Sequence, residues 1–290
     1  MELIGITVIG AKPLLEGIRG RMEKSVREQR DRGKSPAMAI LRIGKDPASE
    51  FYFRAKLKRG SELGIETRAI TMDEDAAPQE VQEHLDQVVR DPMIHGIIVE
   101  SPVPHHLDYK KIVNTIPWYK DIDGASYENL GRLMSGMPSL VAATPLAVME
   151  FVSSLEVPQG STFAVINRTI TVGRPLSQLL LNSNYTPIVC HSKTRNIKEL
   201  CKSSDVIVVA AGKPGFLGID MVSRESIVID VGINSVKGKM VGDARFDEIK
   251  DMVKAITPVP GGVGSLTSTL IFSNLIQAMV YQEDMKEQVQ

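Results

Sequence analysis

Ser49, Tyr52 and Lys56 stand at i, i+3 and i+7 of a stretch with helical character, so they share one face. Arg54 and Lys58 fall on the other side and read as solvated. A lysine drawn into a cleft gives up its proton near neutral pH and can serve as a base. Taken alone, a Tyr above a Lys on a helix is by default a snorkelling surface pair. The apolar run Gly96–Val99 ends in Glu100-Ser101-Pro102, and an acid at a strand's carboxyl end often faces the crevice of an α/β sheet. Downstream lies Lys120-Asp121-Ile122-Asp123-Gly124. Two carboxylates beside a glycine make a turn or part of a metal site, but no third acidic or His ligand stands at a supporting spacing. No metal is therefore expected. A single carboxylate can accept two parallel N–H bonds, which the edge of an amino-pyrimidinone ring offers.

A second set of residues suits a dinucleotide. Such a fold needs a strand, a tight turn and a helix whose N-terminus faces phosphate. The usual G-x-G-x-x-G is missing; TFAVI runs instead into Asn167-Arg168-Thr169-Ile170-Thr171-Val172-Gly173-Arg174-Pro175. Gly173 and Pro175 suit a helix start, although an ordinary β–α loop has the same look. The end of the next strand says more. An acid about 20 residues on usually holds the ribose 2′-hydroxyl of NAD. This chain reads Cys190-His191-Ser192-Lys193-Thr194-Arg195, without a carboxylate. With Arg168 and Thr169, that supplies cations and hydroxyls suited to a 2′-phosphate, so NADP is the expected cofactor.

The elements that must position these groups alternate in the manner of an α/β protein with parallel sheets. In the first half, strands are expected at Ala37–Ile43, Ile65–Ile70 and Gly96–Val99. Helices are expected over Leu14–Arg32, Ala48–Leu63, Ala77–Val89 and Tyr109–Ile116. Asp121–Pro145 starts irregularly and carries the domain crossing near its end. In the second half, strands are expected at Thr162–Ile166, Thr186–Cys190, Val206–Ala210, Ile227–Val231 and Ala255–Thr257. The Pro/Gly-rich turn Ile256–Gly264 precedes a helix over Thr267–Gln282. The resulting division is a catalytic domain over 1–140, a Rossmann-like domain over 141–264, and a helix in 265–290 that returns to the first domain.

Composition narrows the partner. With 290 residues there is room for two domains and a sizeable core. A net charge of −1 gives no basic field for nucleic acid or an anionic membrane. The amino terminus MELIGITVIG lacks the cationic start and long apolar run of a signal peptide. No run of roughly 18 apolar residues offers a membrane span. Cys190 and Cys201, with ten residues between them, form neither a metal nor a redox spacing. A cytoplasmic protein with a small-molecule partner is expected. Among the histidines, His191 alone sits in a loop with a plausible ligand; His84, His95, His105 and His106 read as structural. No G-x-S-x-G elbow supports a serine hydrolase.

Taken in order, these segments resemble the methylenetetrahydrofolate dehydrogenase/cyclohydrolase family, known as FolD, over nearly the whole chain. The resemblance rests on S-x-x-Y-x-x-x-K (Ser49, Tyr52, Lys56), GIIVESPVP (Gly96–Pro104), KDIDG (Lys120–Gly124) and ATP (Ala143–Pro145). It continues through NRTITVGRPL (Asn167–Leu176), CHSKT (Cys190–Thr194), AGKPGF (Ala211–Phe216), IDVGIN (Ile229–Asn234) and ITPVPGGVG (Ile256–Gly264). It implies two domains with a cleft between them, a homodimer, and a place in one-carbon metabolism. The substrate is then a tetrahydrofolate derivative: its methylene form is oxidised by NADP⁺ to the methenyl form, and water opens that to 10-formyl-tetrahydrofolate. By the same resemblance Tyr52 orients the folate, Lys56 assists the chemistry, and Asp123 grips the pterin. Ser49, Asp121 and the turn Pro260, Gly261, Gly262 and Val263 line the substrate side. Ile233 approaches the nicotinamide. Asn167, Arg168, Thr169, His191, Ser192, Ala211, Gly212 and Thr267 complete the cofactor set.

The departures from the family pattern are specific. Val99-Glu100-Ser101-Pro102 stands where Val-Gln-Leu-Pro is usual. A carboxylate at Glu100 near Lys56 would favour the charged ammonium over the free base, and the two would titrate as a pair. A weakened cyclohydrolase beside an intact dehydrogenase is one expectation; Glu100 serving as the base itself is the opposing one. A fully bifunctional enzyme and a non-catalytic folate- or nucleotide-binding paralogue are the alternatives. Asn167 replaces a common glycine, and Thr169 keeps the hydroxyl of a serine. Ala142-Ala143 stands for Pro-Cys and Ser265-Leu266 for Pro-Met, with no physical account of either.

Overall fold

The computed structural model describes residues 7–287. The run Met1–Ile6 and the last three residues lie outside them. Eleven described strands follow in chain order: β1 (Thr7–Val8), β2 (Ala37–Ile43), β3 (Glu66–Met72), β4 (Gly96–Val99), β5 (Thr162–Ile166), β6 (Thr186–Cys190), β7 (Val206–Val209), β8 (Ile227–Asp230), β9 (Asn234–Val236), β10 (Lys239–Val241) and β11 (Ala255–Ile256). The described residues form two units. One comprises Ile18–Ala142 and the chain from Ser268 on; the other comprises the chain up to Gly17 and Ala143–Thr267.

The unit carrying Lys56 is built on a parallel sheet in the order β3-β2-β4. β2 is central and AMAILRI is buried almost throughout, as expected where both faces of a parallel strand are covered. β4 is buried at every residue. Past β4's edge the chain returns alongside it: Ile97 bridges Asp121 in parallel, and the Ile97 N–H donates to the Lys120 carbonyl at 2.7 Å. This return sets the Asp121–Asp123 segment beside the strand that leads into Glu100. The Gly264–Glu287 helix is tied to the same segment. Buried Asn274 donates through Nδ2 to the carbonyls of Ile122 (2.8 Å) and Val141 (2.7 Å).

The other unit has a six-stranded parallel sheet in the order β1-β11-β8-β7-β5-β6, with a separate β9–β10 hairpin. Ala164, Val165, Val208 and Ile229 are fully buried, so β5, β7 and β8 form the floor of this sheet. Strand order reverses beside β5, and loops on either side of that reversal leave from the carboxyl ends of parallel strands, where such sheets take ligands.

Placing residues 1–140 in the first domain needs correction at its start. β1 pairs in parallel with β11, and the Ile9 N–H donates to the Ile256 carbonyl at 2.9 Å, so this segment belongs to the nucleotide-type sheet. A two-residue strand has no periodicity of its own; only its pairing partner, far along the chain, assigns it. The segment after Asp123 is also more regular than its glycines suggest. Ser126 caps a helix over Tyr127–Met134, and another helix runs from Ala143 to Ser154. Among the described residues, no helix is long and apolar enough to cross a membrane.

Candidate active site

The Pro47–Glu62 helix starts where its sequence provides a cap. Asp46 accepts from the Ser49 N–H through Oδ1 at 2.8 Å, Pro47 fills the first turn, and Glu50 complements the positive helix end. At its far end Gly64 adopts φ +68° and the Ile65 N–H returns to the Gly60 carbonyl at 2.8 Å, which stops the helix. Arg42, at the end of β2, anchors this helix: Nη1 lies 2.9 Å from Glu50 Oε2, and the guanidinium sits over the Phe53 ring. These contacts fix the helix in place over the sheet.

On that face Lys56 meets Glu100. Lys56 Nζ donates to Glu100 Oε1 at 2.6 Å, with side-chain exposures of 19% and 5%. The Glu100 N–H donates to the Leu41 carbonyl at 2.8 Å, continuing the β2–β4 ladder one residue past β4, so the carboxylate's position is set by the sheet. A pair this short and this buried is held by charge-assisted hydrogen bonding in a low dielectric, and removing either partner would leave the other charge uncompensated. Tyr52, one turn before Lys56, is half exposed, while Ser49 is only 2% exposed and its Oγ has no hydrogen-bond partner among the described residues.

The two aspartates of KDIDG separate in role. Asp121 is 1% exposed, and its Oδ2 accepts from the Ser126 N–H (2.8 Å) and Asn129 Nδ2 (3.0 Å). Its carboxylate therefore holds the start of the Tyr127–Met134 helix and is not presented to a ligand, which corrects its expected place on the substrate side. Sequence could not separate the two carboxylates; the parallel bridge to Ile97 turns Asp121 inward. Asp123 is half-buried. Burial pushes its carboxyl up to about 6; Lys56 opposes the rise, while Asp121 and Glu100 add to it. Asp123 therefore lies within electrostatic reach of Lys56, Glu100 and Asp121.

Two further residues belong to this region without having been expected there. Tyr109 is raised above the ordinary tyrosine range by burial and then by Asp123, Asp121 and Glu100, so it lies within electrostatic reach of the acidic group. Asn129 joins the segment together: Nδ2 donates also to the Trp118 carbonyl at 2.9 Å, and Oδ1 accepts from the Leu140 N–H at 2.9 Å. Ser126-x-x-Asn129 following Asp123-Gly124 was the available signal for a cap, masked by the neighbouring glycines.

In the other unit, the loop after β5 is organised by Asn167. Its Oδ1 accepts from the Thr169 N–H and Oγ1 (both 2.8 Å) and from the Gly173 N–H (2.9 Å), and its Nδ2 donates to the Ala210 carbonyl at 2.7 Å. One side chain thus takes the place of a glycine-rich loop, and it ties the β5 loop to the end of β7. A Cβ on Gly173 would lie 2.1 Å from the Asn167 carbonyl oxygen, so the helix over Gly173–Asn182 can begin this close only at glycine.

Ile166 and Cys190 are register partners on adjacent β5 and β6, so the loops beyond them leave the sheet side by side. Arg168, Ser192, Lys193 and Arg195 are exposed there, and no carboxylate stands between residues 190 and 195. The His191 loop is closed internally by the Lys193 N–H on His191 Nδ1 (3.1 Å) and the His191 N–H on Thr194 Oγ1 (2.9 Å). This donor set fits a phosphorylated ribose: cations, a hydroxyl and a turn without an acid from Cys190 to Arg195.

Gly212, at φ +63°, follows β7, and Ile233, half exposed, follows β8 with its Cδ1 near Gly264. In the Pro260–Val263 turn, Pro260 and Gly261 are exposed, but Val263 is 1% exposed and packs into the core. Thr267 Oγ1 donates to the Gly264 carbonyl at 3.0 Å within the first turn of the last helix. Among the described residues no group of three His, Cys, Asp or Glu side chains could hold a metal ion.

Residues 9–123 match the catalytic domain of tetrahydrofolate dehydrogenase/cyclohydrolase, and residues 142–283 match its NAD(P)-binding domain. The chain belongs to the tetrahydrofolate dehydrogenase/cyclohydrolase family. Among family members, it is 42% identical over 274 residues to the bifunctional protein FolD of Thermoplasma acidophilum, covering 94% of this chain and 96% of that protein. Its structure is similar to that of the bifunctional FolD dehydrogenase/cyclohydrolase from Campylobacter jejuni, with a TM-score of 0.93 at 33% identity, covering 96% of this chain and all of the other. It is also similar to the Trypanosoma brucei FolD structure complexed with NADP cofactor and inhibitor, with a TM-score of 0.88 at 28% identity over 95% of this chain and 98% of the other.

Proposed function

We propose that this protein oxidises 5,10-methylene-tetrahydrofolate with NADP⁺ and then hydrolyses the methenyl product to 10-formyl-tetrahydrofolate, the second step slowed by Glu100. The observation that carries the reading is the buried Lys56–Glu100 pair, with Asp123 in electrostatic reach, in a chain of this family. Support for NADP over NAD comes from the acid-free, cationic loops after β5 and β6. When bound, NADP⁺ supplies the acceptor for the hydride leaving the one-carbon bridge.

The residues of this chain divide the remaining work. Asp123, once ionised, accepts paired N–H bonds from the amino-pyrimidinone edge of the pterin, and Tyr52 offers its ring as a stacking surface at the exposed end of the same row. Arg168, His191 and Ser192 meet the 2′-phosphate. In hydrolysis, water adds to the methenyl carbon and loses one proton; the carbon–N5 bond then breaks, its electron pair taking the second proton onto N5, and the formyl group stays on N10. Lys56 can take the first proton only as the free amine. Nζ is instead engaged by Glu100 Oε1 at 2.6 Å, a charge-assisted bond stronger than a neutral amide would offer, and it must give up that bond before it can serve. Hydride transfer needs no such base and is unaffected.

Purified protein mixed with methylene-tetrahydrofolate and NADP⁺ should develop the methenyl absorbance, which then decays faster than in a protein-free control. Absence of methenyl with both NADP⁺ and NAD⁺ would overturn the reading and favour a binding paralogue. Equal rates with the two coenzymes would overturn the NADP preference. A homodimer, which rests on family resemblance, is checked by sedimentation equilibrium.

A further inference from the structure

Two buried aspartates lie behind the ends of β7 and β8, and neither belongs to the groups described above. Asp243 is fully buried, and each of its oxygens is used: Oδ2 accepts from the Gly212 N–H at 2.8 Å, while Oδ1 accepts from the Lys213 N–H at 2.7 Å and from Asn234 Nδ2 at 2.9 Å. Asp230 is buried beside it and accepts from the N–H groups of Gly232 (2.8 Å), Asp243 (3.0 Å) and Ala244 (2.8 Å). The two are locked reciprocally through glycines. A Cβ on Gly232 would lie 2.5 Å from Asp243 Cγ, and one on Gly242 would lie 2.0 Å from Asp230 Oδ2. The main chain continues the link, with the Leu217 N–H on the Asp243 carbonyl at 3.0 Å.

One carboxylate therefore ties together two backbone segments at the carboxyl ends of adjacent parallel strands. The first is the left-handed Gly212 turn after β7; the second holds Ile233 and Asn234 after β8. In a sheet of this kind those ends are where a dinucleotide lies. The bonds to Asp243 are charge-assisted and buried, so they resist displacement far better than contacts among exposed loop residues.

We infer that Asp243 is a positioning residue for the coenzyme: it touches no ligand, but fixes the Gly212–Lys213 turn and the Ile233–Asn234 segment in the form that binds NADP⁺. This inference rests on the coenzyme reading proposed above. An amide cannot replace the carboxylate here. Turned to keep the two bonds now made by Oδ1, the amide of an Asp243→Asn variant would aim its NH₂ at the Gly212 N–H, leaving donor against donor.

NADP⁺ binding by isothermal titration calorimetry, together with the KM for methylene-tetrahydrofolate, separates positioning from plain structural support. Asp243→Asn should weaken NADP⁺ about tenfold and Asn234→Ala about threefold, with the folate KM within about twofold of wild type. Asp205→Asn is the control: Asp205 accepts from Thr162 N–H and Oγ1 at the amino ends of β5 and β7, so its loss should leave NADP⁺ affinity unchanged. Folded Asp243→Asn protein with wild-type NADP⁺ affinity, whatever its melting temperature, would overturn the inference. If Asp243→Asn does not fold, unchanged affinity in Asn234→Ala does so. Wild-type protein that does not bind NADP⁺ overturns the underlying coenzyme reading and this inference with it.

Discussion

The ionisation of Asp123 gives the sharpest handle on the folate-facing group. Burial raises its carboxyl from the ordinary 3.8 to about 6, against the pull of Lys56 and with the help of Asp121 and Glu100. If the pterin is gripped by the carboxylate, kcat/KM for methylene-tetrahydrofolate must follow its ionised fraction. That fraction is roughly nine in ten at pH 7 and roughly one in ten at pH 5, a fall of about tenfold. Initial rates of methenyl formation, measured at low folate and saturating NADP⁺ from pH 5 to 8, should show an acid limb centred near 6. Lys56→Met removes a charge that favours the carboxylate, so its limb should move upward. Stability supplies an independent readout. A carboxyl whose folded pKa lies above its unfolded value penalises the fold as pH rises from about 4 through 6. The penalty above pH 6 is at most about 3 kcal/mol. Asp123→Asn should therefore be more stable than wild type at pH 8 by up to that amount, with the gain vanishing at pH 4, while its folate KM rises. An activity limb near 4, or a stability gain independent of pH, would refute both the burial argument and the assigned grip.

Three other outcomes follow from the geometry. Glu100→Gln removes the charge paired with Lys56 at 2.6 Å and should speed enzyme-dependent decay of methenyl-tetrahydrofolate about tenfold, within the usual range for a general base; a slower decay would make Glu100 itself the base for water. Arg168→Ala should raise the KM for NADP⁺ on the order of tenfold and leave that for NAD⁺ within about twofold, the loss expected for one charge-assisted phosphate contact; parallel losses would remove Arg168 from the 2′-phosphate. Asn129→Ala should lower unfolding stability in urea by about 3 kcal/mol, because it takes one of two donors from the buried Asp121 Oδ2 and the partners of the Trp118 carbonyl and the Leu140 N–H; a change below about 1 kcal/mol would show that the segment re-pairs.

What the sequence determined by itself is what local chemistry writes. β2, β4, β5 and β6 fall on their expected residues because each is a short apolar or β-branched run bounded by breakers. The Pro47–Glu62 helix could be read from Asp46-Pro47 at one end and Gly64 at the other. The family followed from an ordered series of short motifs, and the NADP expectation from the missing acid after β6. Other features depend on what lies opposite in space. β1 is too short for a pattern and exists only against β11. Asp121 and Asp123 are equivalent as text; register beside β4 buries one in helix capping and leaves the other within electrostatic reach of Lys56 and Glu100. Those two partners are 44 positions apart, and nothing local to either fixes their distance. Asn167, expected as a ligand contact, organises its own loop through four hydrogen bonds. Asp243 lies in no quoted motif, and the role of Asp230 cannot be read from IDVGIN, since their chemistry lies in backbone N–H groups that any residue can supply. Periodicity and capping are properties of a segment, whereas burial, pairing and ionisation are properties of a neighbourhood, and only the tertiary structure assembles one.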